Sequence, residues 1–221
     1  MARLHSSESG DQAGGDGAEA LKRAAIRLFA ERGIDGVTVR QICQAAGQRN
    51  HGAVGYHFGT KEALVRELVA DGAQIIDERR NALIDRLESA GGPASVREVV
   101  DVIIFPALDL DGAGHDDCYL RFTHILNMTH RELFLDAVGD RWNRGYQRCL
   151  AHLRRLMPEM APAMTNQRLG FAGTYVAQVL ALRQATLADT SRSHATWSAE
   201  RTLRHLAVTA AALIMAPPDE D

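Results

Sequence analysis

Residues 38–61, TVRQICQAAGQRNHGAVGYHFGTK, decide how this chain is read. Val39, Ile42, Cys43 and Ala46 recur at helical spacing and form one apolar stripe that has to pack against something. Ala45-Ala46-Gly47 then narrows the chain, so that one helix can end close against the start of the next. Beyond this turn Val54 and Phe58 lie one helical turn apart and supply a second apolar anchor. Asn50, His51, Gly55, Tyr56 and His57 are left largely on the opposite face. A third helix is expected to start at Thr60-Lys61-Glu62. Two short helices braced in this way make a helix-turn-helix, the unit in which a first helix holds a second across the major groove of DNA.

The preceding residues extend the pattern. Leu21, Ala24, Ala25, Leu28 and Phe29 stand at helical spacing, with Asp16 and Glu19 reading as a capping box ahead of them and Gly33 as the stop. Together with Ala30, Glu31 and Arg32, then Thr38, Val39, Arg40 and Ile42, they lead into Ala45-Ala46-Gly47. Tyr56, His57, Phe58, Lys61, Glu62 and Leu64 close the series. In this order and near-family spacing, the first third of the chain resembles the TetR family of bacterial transcriptional regulators. One departure stands out: the run from Gly47 to Tyr56 is one residue longer than the commonest family version, and Gly55 sits where many relatives carry a tyrosine or another side chain.

The resemblance implies which side chains meet DNA. Thr38 and Lys61 are the expected phosphate contacts, because family members place a hydroxyl and a lysine at these two helix starts. Tyr56 and His57 match positions that touch backbone or base edges, and Asn50 and His51 are the expected base readers. Arg40, Gln48 and Arg49 complete the expected interface.

Charge is distributed accordingly. The chain carries a net −3, which on its own argues against a nucleic-acid partner. Between Leu21 and Arg66, however, eight basic residues (Lys22, Arg23, Arg27, Arg32, Arg40, Arg49, Lys61, Arg66) face three acidic ones (Glu31, Asp35, Glu62). That segment is therefore +5 and the remainder −8. A basic head on an acidic body concentrates positive potential where phosphates would sit.

The 221 residues are 46% hydrophobic and 24% charged, as in ordinary globular proteins, which sets aside disordered and membrane-embedded classes. No apolar run approaches the roughly 20 residues that span a bilayer. The N-terminal MARLHSSESGDQAGGDG lacks the apolar core of a secretion signal. Three widely spaced cysteines argue against a disulfide framework and fit a reducing cytoplasm, the expected location. Cys43 reads as a small apolar core residue.

Past the head every segment reads helical. Leu64, Leu68, Ile75, Ile76, Leu83 and Leu87 predict one rod of roughly 45 Å, stopped by Gly91-Gly92-Pro93 and with a possible bend at Gly72. Further helices are expected over residues 95–108, 119–128, about 142–157, 166–188 and 196–215, with a polar loop at 109–116. The fold class is all-α. The expected organisation is a disordered tail (1–16), a three-helix DNA-binding domain (17–63), a helical effector-binding and dimerisation domain (64–215) and an acidic tail (216–221).

Two stripes carry the association signal: Leu169, Gly173, Val176, Ala177 and Leu180, and Leu203, Leu206, Ala207, Ala210 and Ile214. In the family, helices so placed pair with their copies in a homodimer, and the stripes can equally serve as the chain's own core. The resemblance also implies a small, largely apolar effector in a pocket between the central helices. Phe105, Tyr119, Phe122, His124, Met128, Trp142, Tyr146 and Tyr175 are its candidate lining. His115, Cys118, His124 and His130 match no recognised zinc spacing, and no metal or cofactor is expected. No nucleophile–base motif and no phosphate-binding glycine loop stand out, so the enzyme class ranks behind a ligand-responsive repressor that binds a pseudo-palindromic operator. A small-molecule or metal-binding helical protein with a degenerate DNA-binding head is the alternative.

Overall fold

The computed structural model describes residues 8–110 and 118–218, all of whose regular elements are helices. They are α1 (Glu8–Arg32), α2 (Val39–Ala45), α3 (Ala53–Phe58), α4 (Lys61–Ser89), α5 (Val96–Ile104), α6 (Tyr119–Thr129), α7 (Arg131–Val138), α8 (Arg144–Leu156), α9 (Pro162–Leu187), α10 (Ala195–Ser198) and α11 (Glu200–Met215). A short 3-10 turn, Phe105–Ala107, follows α5. No helix among the described residues is long and apolar enough to cross a membrane.

Two apolar cores share α4. The first joins Leu21, Ile26 and Phe29 of α1, Ile42 and Cys43 of α2 and Val54 of α3 to the first half of α4 and to Tyr119, Phe122 and Leu126 of α6. The second joins Ile84 of α4 to α5, α8, α9 and α11. The change of core therefore falls within α4, between Ile76 and Ile84, whereas the sequence places the division after residue 63.

Several element boundaries differ from the sequence reading, each for a local reason. α1 begins at Glu8, so residues 8–16 are helical and not a disordered tail, while residues 1–7 lie outside the described part. Extending a helix that packing has already nucleated adds one hydrogen bond per residue, and even a polar segment can follow. The helix expected over 95–108 stops at Ile104, because Pro106 favours the tighter turn. α9 starts at Pro162, a favourable first helical position, and not at residue 166. The last predicted helix is two, broken where Ala199 turns extended (φ −65°, ψ 132°). α7 went unread because its eight residues offer too short a period to stand out.

α4 is one unbroken helix of 29 residues, about 44 Å long. Gly72 serves close packing and not a bend: a Cβ there would overlap the Tyr119 ring, whose hydroxyl donates to the Val69 carbonyl at 2.8 Å. Farther along, the buried Asp77 accepts from the Gly145 N–H at 2.7 Å and from Asn81 at 2.9 Å. Gly145 lets α8 come this near, since a Cβ would sit 2.7 Å from that of Arg80. Arg148 then reaches Asp85 and Glu88, each at 2.6 Å. The loop residues 111–117, including His115, lie outside the described part.

Candidate nucleic-acid interface

The two short helices are held by local chemistry before tertiary packing acts on them. Thr38 caps α2: Gln41 N–H donates to its Oγ1 at 3.3 Å, and Thr38 N–H donates to Gln41 Oε1 at 2.8 Å. This is the reciprocal Thr-x-x-Gln capping box, a signal present in the sequence and not used there. At the other end Gly47 takes φ +69°, the left-handed region that a side chain resists. That conformation brings Gln48 N–H to the Cys43 carbonyl at 2.9 Å and closes the helix.

The turn absorbs its additional residue in a compact loop. Asn50 Oδ1 accepts from Gly52 N–H at 2.8 Å, and the Cys43 thiol donates to the His51 carbonyl at 3.5 Å. Asn50 is exposed, with its amide oxygen engaged by the backbone and its amide nitrogen the donor left for a base edge. Arg49 and His51 are exposed beside it. All three, with Gln48, precede α3 and are loop residues.

α3 itself has six residues. Ala53 and Val54 are buried in the head core and Phe58 packs against it, which leaves Gly55, Tyr56 and His57 to the surface. Tyr56 is 83% exposed. His57 meets it edge-on, with ring centroids 4.9 Å apart, and is half-buried. Gln48 and His57 both turn toward α1 at Gly17, where a Cβ would lie 3.5 Å from a nitrogen of each. This pair thus helps seat α3 on α1 while Tyr56, Arg49 and His51 face out.

The other expected contacts divide. Thr38 and Arg40 are exposed at the start of α2. Lys61 is half-buried, and its ammonium donates at 3.1 Å to the carbonyls of both Ile34 and Val37. It ties α4 to the α1–α2 connection and keeps one donor for an outside acceptor. Lys22 and Arg66 are also neutralised by acidic partners within the chain. Lys22 bridges Glu67 at 2.6 Å and Asp71 at 2.8 Å, and Arg66 pairs with Asp136 at 2.8 Å. Burial disfavours the Lys22 charge, but hydrogen bonds to Asp71 and Glu67 outweigh it and raise the pKa. Lys22 therefore fastens α1 to α4, a role that charge counting missed.

α6 is a link from this head to the body beside α4. Phe122 stacks on Phe29 of α1, with centroids 6.0 Å apart. His130, at the α6–α7 junction, lies 3.3 Å from Asp35 in the α1–α2 connection. On its other side α6 meets α9: His124 and Gln178 share a 2.8 Å hydrogen bond, and Arg121 N–H donates to Gln184 at 2.9 Å.

The eight effector candidates do not gather around one cavity. Tyr119 and Phe122 are buried in the first core, while Met128 is 69% exposed. Trp142 lies under the Arg141 guanidinium at 4.4 Å, and Tyr146 under that of Arg80 at 5.5 Å. Burial lowers the Arg80 pKa and raises that of Tyr146. The Tyr175 hydroxyl shares a 2.7 Å hydrogen bond with Thr209 of α11. Phe105 lines an open cleft of about 470 Å³ between α4 and α5, with Leu83, Leu87 and Val102. A second cleft, of about 400 Å³, lies at Val96, Leu156, Ala211 and Met215.

Of the two association stripes, Leu169, Val176, Leu180, Leu203, Leu206, Ala207, Ala210 and Ile214 are buried in the chain's own second core. Gly173 is half-buried and Ala177 exposed. The large apolar side chains that α9 and α11 expose are others: Phe171, Leu182, Val208 and Met215.

Comparison with known proteins agrees with this geometry. Residues 21–68 match the sequence profile of bacterial regulatory proteins of the tetR family. The chain is 41% identical over 69 residues to the HTH-type transcriptional repressor AcnR of Corynebacterium glutamicum, a stretch covering 29% of this chain but only 35% of that repressor. It is 31% identical over 141 residues to the HTH-type transcriptional repressor KstR2 of Mycobacterium tuberculosis, covering 58% of this chain and 68% of the relative. A tetR family transcription regulator from Shewanella sp. PV-4, 14% identical, superposes with a TM-score of 0.60 over 91% of this chain and 99% of its own, a likeness of fold. A basic helix-turn-helix on an all-helical body, with a matching family profile and a relative aligned over most of its length, leaves one conclusion: this chain belongs to the TetR family of bacterial regulatory proteins.

Proposed function

We propose that the protein is a ligand-responsive transcriptional repressor that binds a pseudo-palindromic DNA operator as a homodimer and is released by a small, largely apolar effector. The observation that carries this reading is the outward surface of the head. Arg40, Arg49, Asn50, His51 and Tyr56 are exposed together around a short helix whose apolar side is packed inward. In this reading Thr38 and Lys61 contact phosphate, and Gln48 and His57 hold α3 against α1 at the interface. Arg40, Arg49, Asn50, His51 and Tyr56 meet phosphate or base edges.

A second copy of the chain docks on α9 and α11. Support comes from Phe171 (59% exposed), Leu182, Val208 and Met215, four of the seven large apolar side chains that the described residues expose. Gly170 adds to it, being exposed on α9 with open space where a Cβ would be, which permits close helix approach. Such a dimer sets the separation of two heads on successive major-groove faces. The effector occupies the body. Its binding shifts α6, which touches Phe29 and Asp35 on one side and α9 on the other. The coupling is about 1–3 kcal/mol and reciprocal, so operator DNA weakens effector binding.

Selection of duplexes from a random pool by the purified protein tests the reading. An enriched two-fold-symmetric sequence, bound by a dimer, is the expected result. Recovery of no preferred duplex at moderate salt would sink it.

A further inference from the structure

A cation held inside a protein is tolerated when acceptors take up its donors, and is costly when they do not. Arg79 of α4 spends its guanidinium on the carbonyls of Pro106, Leu108 and Asp109. Arg148 of α8 is matched by Asp85 and Glu88. Arg80 is different. Its Nη2 donates to the Ile103 carbonyl of α5 at 2.9 Å, but its Nε is buried without an acceptor. Among the described residues no carboxylate pairs with it, and Asp77, one turn earlier, spends its oxygens on the Gly145 N–H and on Asn81. Burial disfavours the charge, neighbouring acidic groups offset only part of that, and the pKa falls.

A second group beside it has the same need. The Tyr146 ring of α8 lies 5.5 Å from the Arg80 guanidinium carbon, and its hydroxyl has no hydrogen-bond partner among the described residues. That hydroxyl reaches α9 at Gly173, which makes room for it: a Cβ there would lie 3.4 Å away. Arg80 and Tyr146 are both half-buried, so each keeps a surface that a small molecule can reach. Four body helices thus bring together a cation and a hydroxyl that lack an acceptor, next to the apolar second core. With Arg79 and Arg148 already spent, the complement is a single negative charge on an apolar body. We propose that Arg80 and Tyr146 form the polar end of the effector site, where they hold the carboxylate of a small organic acid. A carboxylate is planar, accepts from a guanidinium edge and has lone pairs left for a phenol. Arg80 belongs to α4, the helix that both cores share, so the pairing bears on the element that also packs the head. The inference rests on the ligand-responsive reading above and names the chemical class of its effector.

The test is calorimetric titration of the full chain with octanoate, decanoate, benzoate and naphthoate, each against its neutral alcohol and below micelle-forming concentration. At least one acid should bind about tenfold or more tightly than its alcohol, the worth of one charge-assisted contact. Arg80→Met keeps the length of the side chain and removes the charge, and should weaken that acid by about tenfold or more. Tyr146→Phe removes the hydroxyl alone and should weaken the acid about three- to tenfold while leaving the alcohol unaffected. If Arg80→Met folds poorly, Tyr146→Phe decides. Acids that bind no better than their alcohols, or that bind both variants as well as the parent, overturn the inference and leave the effector reading standing. No binding by any of these acids overturns it as well. An acid that binds through Arg80 yet leaves affinity for the duplex enriched from a random pool unchanged supports the site and sinks the ligand-responsive half of the reading.

Discussion

Tyr56 in the head and Tyr119 in the body are both tyrosines on helices, yet one is 83% exposed and the other 3%. Tyr119 fills the notch left by Gly72 and donates to a backbone carbonyl of α4. Tyr56 meets the edge of the His57 ring and is otherwise open to solvent over most of its surface. The same contrast holds for their regions. In the α2–α3 segment the polar and aromatic residues singled out by motif stand mostly at the surface. In the body, those singled out by residue type are mostly occupied with packing, with Phe122 on Phe29, Tyr175 on Thr209 and Tyr146 under Arg80. A motif position carries information about what a residue faces. An aromatic residue at helical spacing carries information about which neighbours share its face, and no more.

The sharpest way to break this comparison is Phe122→Ala. If Phe122 is core, the change should lower stability by about 3–5 kcal/mol and shift the denaturant midpoint accordingly. A near-neutral result would return Phe122 to the list of effector contacts. Lys61→Ala blurs the contrast on purpose, because this residue belongs to both classes. Loss of its two hydrogen bonds to the Ile34 and Val37 carbonyls should lower stability by about 1–2 kcal/mol. The logarithmic salt dependence of DNA binding should also flatten by about one unit. An unchanged slope would leave Lys61 a clamp alone. Tyr56→Ala should do the reverse, changing stability by less than about 0.5 kcal/mol while weakening operator binding by about 1–3 kcal/mol. Matched melting curves and anisotropy titrations decide it.

The smallest effect concerns pH. Burial pushes the Cys149 thiol up to about 11 from an ordinary 9.0. Below pH 9 folded and unfolded chains both keep that proton. Between about 9 and 11 the unfolded chain loses it first, so this group makes stability fall as pH rises. Cys149→Ala should remove that part of the decline, as read from melting temperatures across the same window.

Much of the head was legible because its signals are local. The stripe of Val39, Ile42 and Cys43, the glycine at 47 and the Thr60 cap each act within a few residues of themselves. The carbonyl clamp by Lys61 was not legible, because its partners lie 24 and 27 residues away. For the same reason the basic count overstated the free charge: Glu67, Asp71 and Asp136, which neutralise Lys22 and Arg66, lie outside the segment counted. The association stripes show the limit most clearly. Their spacing was correct, but most of those side chains serve the chain's own core, and Phe171, Leu182, Val208 and Met215 are the ones left outside.

Periodicity and turn chemistry by themselves determined an all-helical chain and a helix-turn-helix near its start, and the resemblance of the motif residues pointed to the family. Both are short-range properties, set by 3.6 residues per turn and by the few residues that cap or break a helix. The tertiary structure alone decided which neighbour each apolar face meets. It also decided that α6 bridges head and body, and that Gly55 lies bare while Gly72 is filled. Those outcomes depend on contacts between residues far apart in the chain, where close packing admits one arrangement of the faces and helical spacing allows several.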